Sequence, residues 1–149
     1  MATWSDFAAA EPDMAAAGLA LLEKFHLGYL ATVRADGAPR VHPVSPFIIN
    51  GRLFVATPQD SPKAHDQLRD GRYVLHMLPG KDDAEFRIRG RARTVTDAAT
   101  RTTVRERGPH FVKEHDHIFE YDIEEAATAH WEKVGQPGTY PVRRSWRTA

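Results

Sequence analysis

The clearest periodicity in the chain lies in "AEFRIRGRARTV" (84–95), where Phe86, Ile88, Gly90 and Ala92 alternate with Arg87, Arg89, Arg91 and Arg93. A period of two puts the first set on one face of a β-strand and the arginines on the other. Two further strands are predicted upstream, in "LGYLATVR" (27–34) and "RVHPVSPFII" (40–49), joined by a hairpin turn at Asp36-Gly37. Asn50-Gly51 makes another tight turn into "RLFVAT" (52–57), so these three strands read as a meander. Pro43 and Pro46 remove ladder donors from the middle strand, which predicts an edge or a bulge with backbone groups left free.

Helical signals flank and interrupt this β-rich stretch. Ser5 can cap a first short turn, and Pro12 suits the start of a second helix whose apolar side is Met14, Leu19, Leu21, Leu22 and Phe25. A short helix should run from the Ser61 corner to Asp70, and Asp97 should cap another that stops near Arg107 before Gly108-Pro109. "RYVLHML", "HIFEYDI", "ATAHWEKV" and "YPVRRSW" supply the remaining strands. The expected fold class is mainly β with short α-helices, a closed or split antiparallel barrel with helices at its ends. One domain is expected over 1–149, with N-terminal helices in 1–26 and the barrel with interspersed helices in 27–149.

Composition narrows the function classes. The 149 residues carry 20 lysines and arginines against 20 aspartates and glutamates, so no global field draws the protein to nucleic acid or an anionic membrane. Cysteine is absent, which excludes disulfides and thiolate chemistry. No signal-peptide pattern or bilayer-length apolar run is present, and the expected location is the cytoplasm. The arginine face of 87–93 fits ion pairs to neighbouring carboxylates or a subunit-facing surface better than a grip on single-stranded nucleic acid.

Candidate chemistry concentrates in "TPQDSPK". Pro62 fits a first helical turn, where N–H groups are unpaired and the dipole favours an anion, while Ser61 and Lys63 add a hydroxyl and a cation. A phosphate monoester would satisfy all of them; plain capping by Ser61 beside a solvated lysine is the competing reading. Thr57 ends the preceding strand, and Arg40, His42 and Ser45 lie on the adjacent strand of the expected meander. Eight histidines show no metal-ligand spacing, so no metal site is expected. Neither G-x-S-x-G, a phosphate loop nor G-x-G-x-x-G occurs, and the paired acids sit in turns or exposed contexts.

Taken in order, "LGYLATVRADGAPRVHPVSPFIINGRLFVAT", "SPKAHDQLRDGRYVLHML", "RGRARTV" and "VRRSW" resemble the pyridoxamine 5'-phosphate oxidase-like family of flavin- and deazaflavin-dependent oxidoreductases, from about Leu27 to Trp146. The resemblance implies a split β-barrel homodimer with FMN-type sites in grooves between subunits. It assigns Arg40, Val41, His42, Pro43, Val44 and Ser45 to the strand along the cofactor ring and chain. Thr57, Ser61, Pro62 and Lys63 fall at its phosphate, and Trp146 beside the same or the neighbouring site. FMN is the implied cofactor, with the deazaflavin coenzyme F-420 and haem as alternatives on this scaffold, and the partner is a small conjugated substrate. The substrate-binding arginine–histidine segment of authentic pyridoxamine phosphate oxidases has no match in "YPVRRSWRTA", so that particular activity is not implied. A non-enzymatic flavin- or haem-binding protein is the alternative function, and a nucleic-acid-binding barrel a lesser one.

Overall fold

The computed structural model describes residues 1–149 as eight strands and four α-helices. In order these are α1 (Trp4–Ala10), α2 (Pro12–Phe25), β1 (Gly28–Val33), β2 (Pro39–Val44), β3 (Phe47–Ile49) and β4 (Arg52–Thr57). They continue as α3 (Pro62–Arg69), β5 (Arg72–Met77), β6 (Glu85–Thr94), α4 (Ala98–Arg107), β7 (His117–Glu132) and β8 (Tyr140–Arg147). Every pairing is antiparallel, in the order β2-β1-β5-β6-β7-β4-β3, with β8 added to the far end of β7. The two ends of that order, β2 and β3, are joined by only Ser45 and Pro46, so the sheet must curl until those strands come together at one corner, without pairing edge to edge. This is the expected split β-barrel.

The expected meander is corrected here. "RVHPVSPFII" is not one strand: at Ser45-Pro46 it breaks into β2, which pairs only with β1, and β3, which pairs with β4. Two prolines in four residues leave too few ladder donors for a single continuous strand. Thr57 consequently neighbours β7 through His117 and is not beside β2. "HIFEYDI" and "ATAHWEKV", read separately in the sequence, form the single sixteen-residue β7. The first helix is capped by Thr3, not Ser5, through a capping box: Asp6 N–H donates to Thr3 Oγ1 at 3.2 Å and Thr3 N–H to Asp6 Oδ2 at 2.9 Å.

Inside the barrel, Leu30, Leu53, Val55, Leu75, Ile88, Phe119 and Tyr121 are buried. The first two helices close one mouth by packing Trp4, Phe7 and Met14 against Phe86, with the Trp4 and Phe7 rings 5.5 Å apart edge to face. A second, smaller cluster of Phe47, Phe54, Val95, Val104 and Ile118 lies under α4 on the outer side of β3 and β4. The other mouth is covered by α3, whose Ala64 is fully buried in the main core.

The alternation predicted for β6 is observed, with Phe86, Ile88, Gly90 and Ala92 inward. Outward, Arg87 and Arg89 reach Glu125 at 3.3 and 3.1 Å, Arg93 reaches Asp122 at 2.8 Å, and Arg91 stands 3.9 Å from Glu124. The register slips at Gly90, where β7 carries one residue more than β6. Only glycine fits there, because a Cβ would sit 2.0 Å from the Asp122 carbonyl oxygen.

Candidate functional site

The chain leaves β4 at Thr57 and turns so that Ser61 N–H donates to Pro58 O at 3.1 Å. Pro62 then opens α3 at the position where a missing N–H costs nothing. One side of this helix is locked. Asp66, itself buried, accepts hydrogen bonds from Thr32 Oγ1 at 2.8 Å, Arg40 Nε at 2.7 Å and Arg69 Nη2 at 3.2 Å. Burial alone would raise its carboxyl pKa, but those three donors outweigh it and hold the group below the usual carboxylate range. Toward the barrel axis, Gln67 accepts from the Tyr121 hydroxyl and donates through Nε2 to Lys63 O at 3.1 Å. The first turn of α3 is therefore fixed to the sheet from two directions.

Its other side is not matched. Lys63 Nζ donates to Ser61 Oγ at 3.0 Å, and no carboxylate lies within ion-pair distance. Partial burial pulls its ammonium below the ordinary lysine pKa, because nothing offsets the lost hydration. Ser61 stands at the N-cap but makes no capping bond with its side chain, so the plain-capping reading does not describe it. The Lys63 N–H takes no part in a backbone hydrogen bond. Thr57 Oγ1 is buried and has no partner at all. An ammonium bonded only to a neighbouring hydroxyl and a free amide at one helical N-terminus are groups that a phosphate's oxygens accept from. The residues present thus fit a phosphorylated ligand.

Arg40 reaches α3 from β2 on the locked side of the helix, and not by the route expected from the sequence. Its side chain lies on the same face of the hairpin as Thr32, where Asp66 on α3 holds it. Together with Arg34, Pro62, His65 and Arg69 it lines a cleft of about 330 Å³. The remaining predicted residues divide. Val41 and Pro43 face outward, Val41 being 61% exposed; His42 is half-buried on the Arg40 face; Val44 is buried in the core; Ser45 sits at the seam between β2 and β3. Trp146 is not brought to the corner of its own chain. It pairs with Ala126 on β7 and packs its ring 5.3 Å from Phe7, whereas Thr57 pairs with His117 at the other end of that strand. Those positions are separated by about 30 Å of strand contour.

The chain between Met14 and Gly135 matches the family model described as pyridoxamine 5'-phosphate oxidase. The chain belongs to that family. Solved structures agree on the fold. A haem-binding protein of Mycobacterium smegmatis superposes with a TM-score of 0.69 at 14% identity, over 92% of this chain and 59% of that one. A NimC/NimA family protein of Clostridium acetobutylicum gives 0.61 at 18% identity, over 84% and 90%. A protein of the same organism related to general stress protein 26, of the pyridoxinephosphate oxidase family, gives 0.61 at 11% identity over 84% and 90%. No functionally curated protein matches. No helix is long and apolar enough to cross a membrane.

Within this pyridoxamine 5'-phosphate oxidase family member, Asp66, Gln67 and Tyr121 are the residues that sequence reading passed over. Asp66 and Arg69 stand at helical spacing, which is a readable pair. Nothing in the sequence links Asp66 to Thr32 and Arg40, which reach it only after the barrel closes.

Proposed function

We propose that this protein is an oxidoreductase that holds FMN, or the deazaflavin coenzyme F-420, and passes hydride to a small conjugated substrate. The observation that carries the reading is the unmatched first turn of α3: Lys63 without a carboxylate, Ser61 without a capping role and Thr57 without a partner. Lys63 and the helix N-terminus would hold the phosphate, with Ser61 and Thr57 adding hydroxyls. Arg40, kept in place by Asp66, would complete the positive wall. The outer edge of β2 has no partner strand in the chain, so its backbone is available to the polar edge of a flat ring. A bound flavin or deazaflavin supplies the hydride chemistry, so no dedicated acid or base is required of the protein. Pairing of two copies would bury the ring further, and Trp146 would then serve a site other than its own.

Titration with FMN and with coenzyme F-420 tests this reading directly, and saturable binding of one of them is expected. Lys63→Ala should weaken that binding by about 1–3 kcal/mol through loss of a charge-assisted contact, with no loss of folded stability. Absence of saturable binding of either coenzyme would defeat the proposal.

A second reading is a flavin- or haem-binding protein without turnover, favoured by the likeness to the mycobacterial haem-binding protein. Haem uptake with a Soret band, or a bound flavin that cannot be cycled by a reductant and an acceptor, would select it. The nucleic-acid reading loses its support, since each arginine of β6 faces a carboxylate of β7.

A further inference from the structure

Lys63 is placed to act as a nucleophile as well as a cation. The chain has five lysines, and Lys24, Lys81, Lys113 and Lys133 are exposed. Lys63 alone is half-buried, and no carboxylate pairs with it. Lost hydration holds its ammonium below the ordinary lysine pKa, so a larger share of it is the free amine at neutral pH than in a solvated lysine. The one bond of the amine runs to Ser61 Oγ at 3.0 Å. That hydroxyl accepts an N–H, which leaves the lone pair of the deprotonated nitrogen turned away from it.

The same residue supplies a local anion binder. In the first turn of α3 the Ala64 and His65 N–H groups both donate to Ser61 O, at 2.9 and 3.2 Å, and Pro62 has no N–H, so the amide left over is that of Lys63. A phosphoryl group received by that amide, at the positive end of the helix dipole, lies beside the amine of the same residue. An acyl phosphate carries its electrophilic carbonyl carbon one bridging oxygen away from phosphorus. Docked by its phosphoryl end, it brings that carbon to the nitrogen, whereas an acyl donor without phosphate gains no such placement.

We propose that Lys63 is an acylation site that takes its acyl group from small acyl phosphates, and that its modification closes the corner to phosphorylated ligands. Nζ attacks the carbonyl carbon as the free amine. The C–N bond forms, the bond from that carbon to the bridging oxygen breaks, and phosphate leaves with the electron pair. The surplus proton of the nitrogen goes to the departing phosphate, and the product is a neutral amide with no charge to offer an anion. The acyl transfer stands without any coenzyme; the closing of the corner rests on the phosphorylated-coenzyme reading of the same site.

The test incubates the intact chain with acetyl phosphate and follows the acetylation of each lysine by peptide mass spectrometry. Lys63 should react about tenfold faster than any of the four exposed lysines, at a rate that saturates with reagent and is suppressed by inorganic phosphate. With acetic anhydride, which has no phosphoryl group, the sensitivity to inorganic phosphate should vanish. The chain acetylated at Lys63 should then bind FMN about tenfold less tightly than the unmodified chain. Acylation is overturned as a property of this site if Lys63 reacts no faster than Lys24, Lys81, Lys113 and Lys133, if its rate never saturates, or if inorganic phosphate does not protect it. Unchanged FMN affinity after acetylation overturns the closing of the corner while leaving coenzyme binding intact. Selective labelling of Lys63 in a chain that binds neither FMN nor coenzyme F-420 would uphold the acyl transfer and defeat the coenzyme reading, and the closing of the corner with it.

Discussion

Arg93 on β6 and Lys63 on α3 are both cations at the rim of the same barrel, but their surroundings differ in kind. Arg93 holds Asp122 at 2.8 Å and approaches Glu120 at 3.6 Å, and Glu120 is itself gripped by Arg52 through two bonds of 2.7 and 2.5 Å. Lys63 has only the Ser61 hydroxyl. The ladder on β6 and β7 is self-contained, so its charge stabilises the sheet and leaves little to recruit a polyanion. The α3 corner bears the desolvation of a cation with no internal return, which is the condition of a site awaiting an anion. Counting basic residues would have pointed to the ladder; asking which half-buried cation has neither a carboxylate nor a carbonyl to donate to points to the corner.

The largest effect should come from the matched side. Glu120→Ala strands Arg52 and should lower the unfolding free energy by about 2–3 kcal/mol in urea denaturation at neutral pH. A loss within about 0.5 kcal/mol would mean that solvent screens the ladder and that the contrast is false. Next, Thr57→Val removes a buried hydroxyl without a partner and should stabilise the cofactor-free protein by about 1 kcal/mol while weakening FMN binding. Destabilisation instead would reveal a hydrogen bond that Thr57 makes within the fold.

The smallest effect is the most discriminating, because the two regions titrate at opposite ends of the pH scale. Burial tends to raise the Glu125 carboxyl, but the bond from Arg89 and the charges of Arg89, Arg147 and Arg87 hold it below its ordinary value. Its contribution is complete above the unfolded pKa of about 4.3 and is lost as pH falls through the folded one. Lys63 is also depressed, but as a base. The unfolded chain keeps that proton longer, so cofactor-free stability should rise slightly as pH climbs from the folded value toward about 10.4. Affinity for FMN should fall over the same alkaline interval, and Lys63→Arg should abolish the fall. An FMN affinity that is flat there for the wild-type chain would place the phosphate away from Lys63.

Much of this architecture was readable in advance because it is local. The alternation of β6, the Asp36-Gly37 and Asn50-Gly51 turns, the Asp97 cap and the opening of α3 at Pro62 each depend on neighbours within a few residues. The meander failed because nothing local says that β3 leaves β2 for the opposite edge of the sheet. The candidate site divides in the same way. Ser61, Pro62 and Lys63 announce themselves by their order, and Thr57 by its place at a strand end. The role of Arg40 is set by Asp66, twenty-six residues along the chain, and becomes visible only once α3 lies across β1. Trp146 sits against Phe7 for an equally remote reason: β7 is long enough to serve β4 at one end and β8 at the other.

The Ser45-Pro46 junction has a kinetic consequence. The β1–β2 and β3–β4 hairpins can each form from adjacent residues, whereas uniting them into a ring waits on β4 finding β7, Thr57 against His117, across most of the intervening chain. Pairings so far apart in sequence are slow to nucleate. The two-residue strap then becomes the clasp of the ring, taking its final shape only after the remote strands have met.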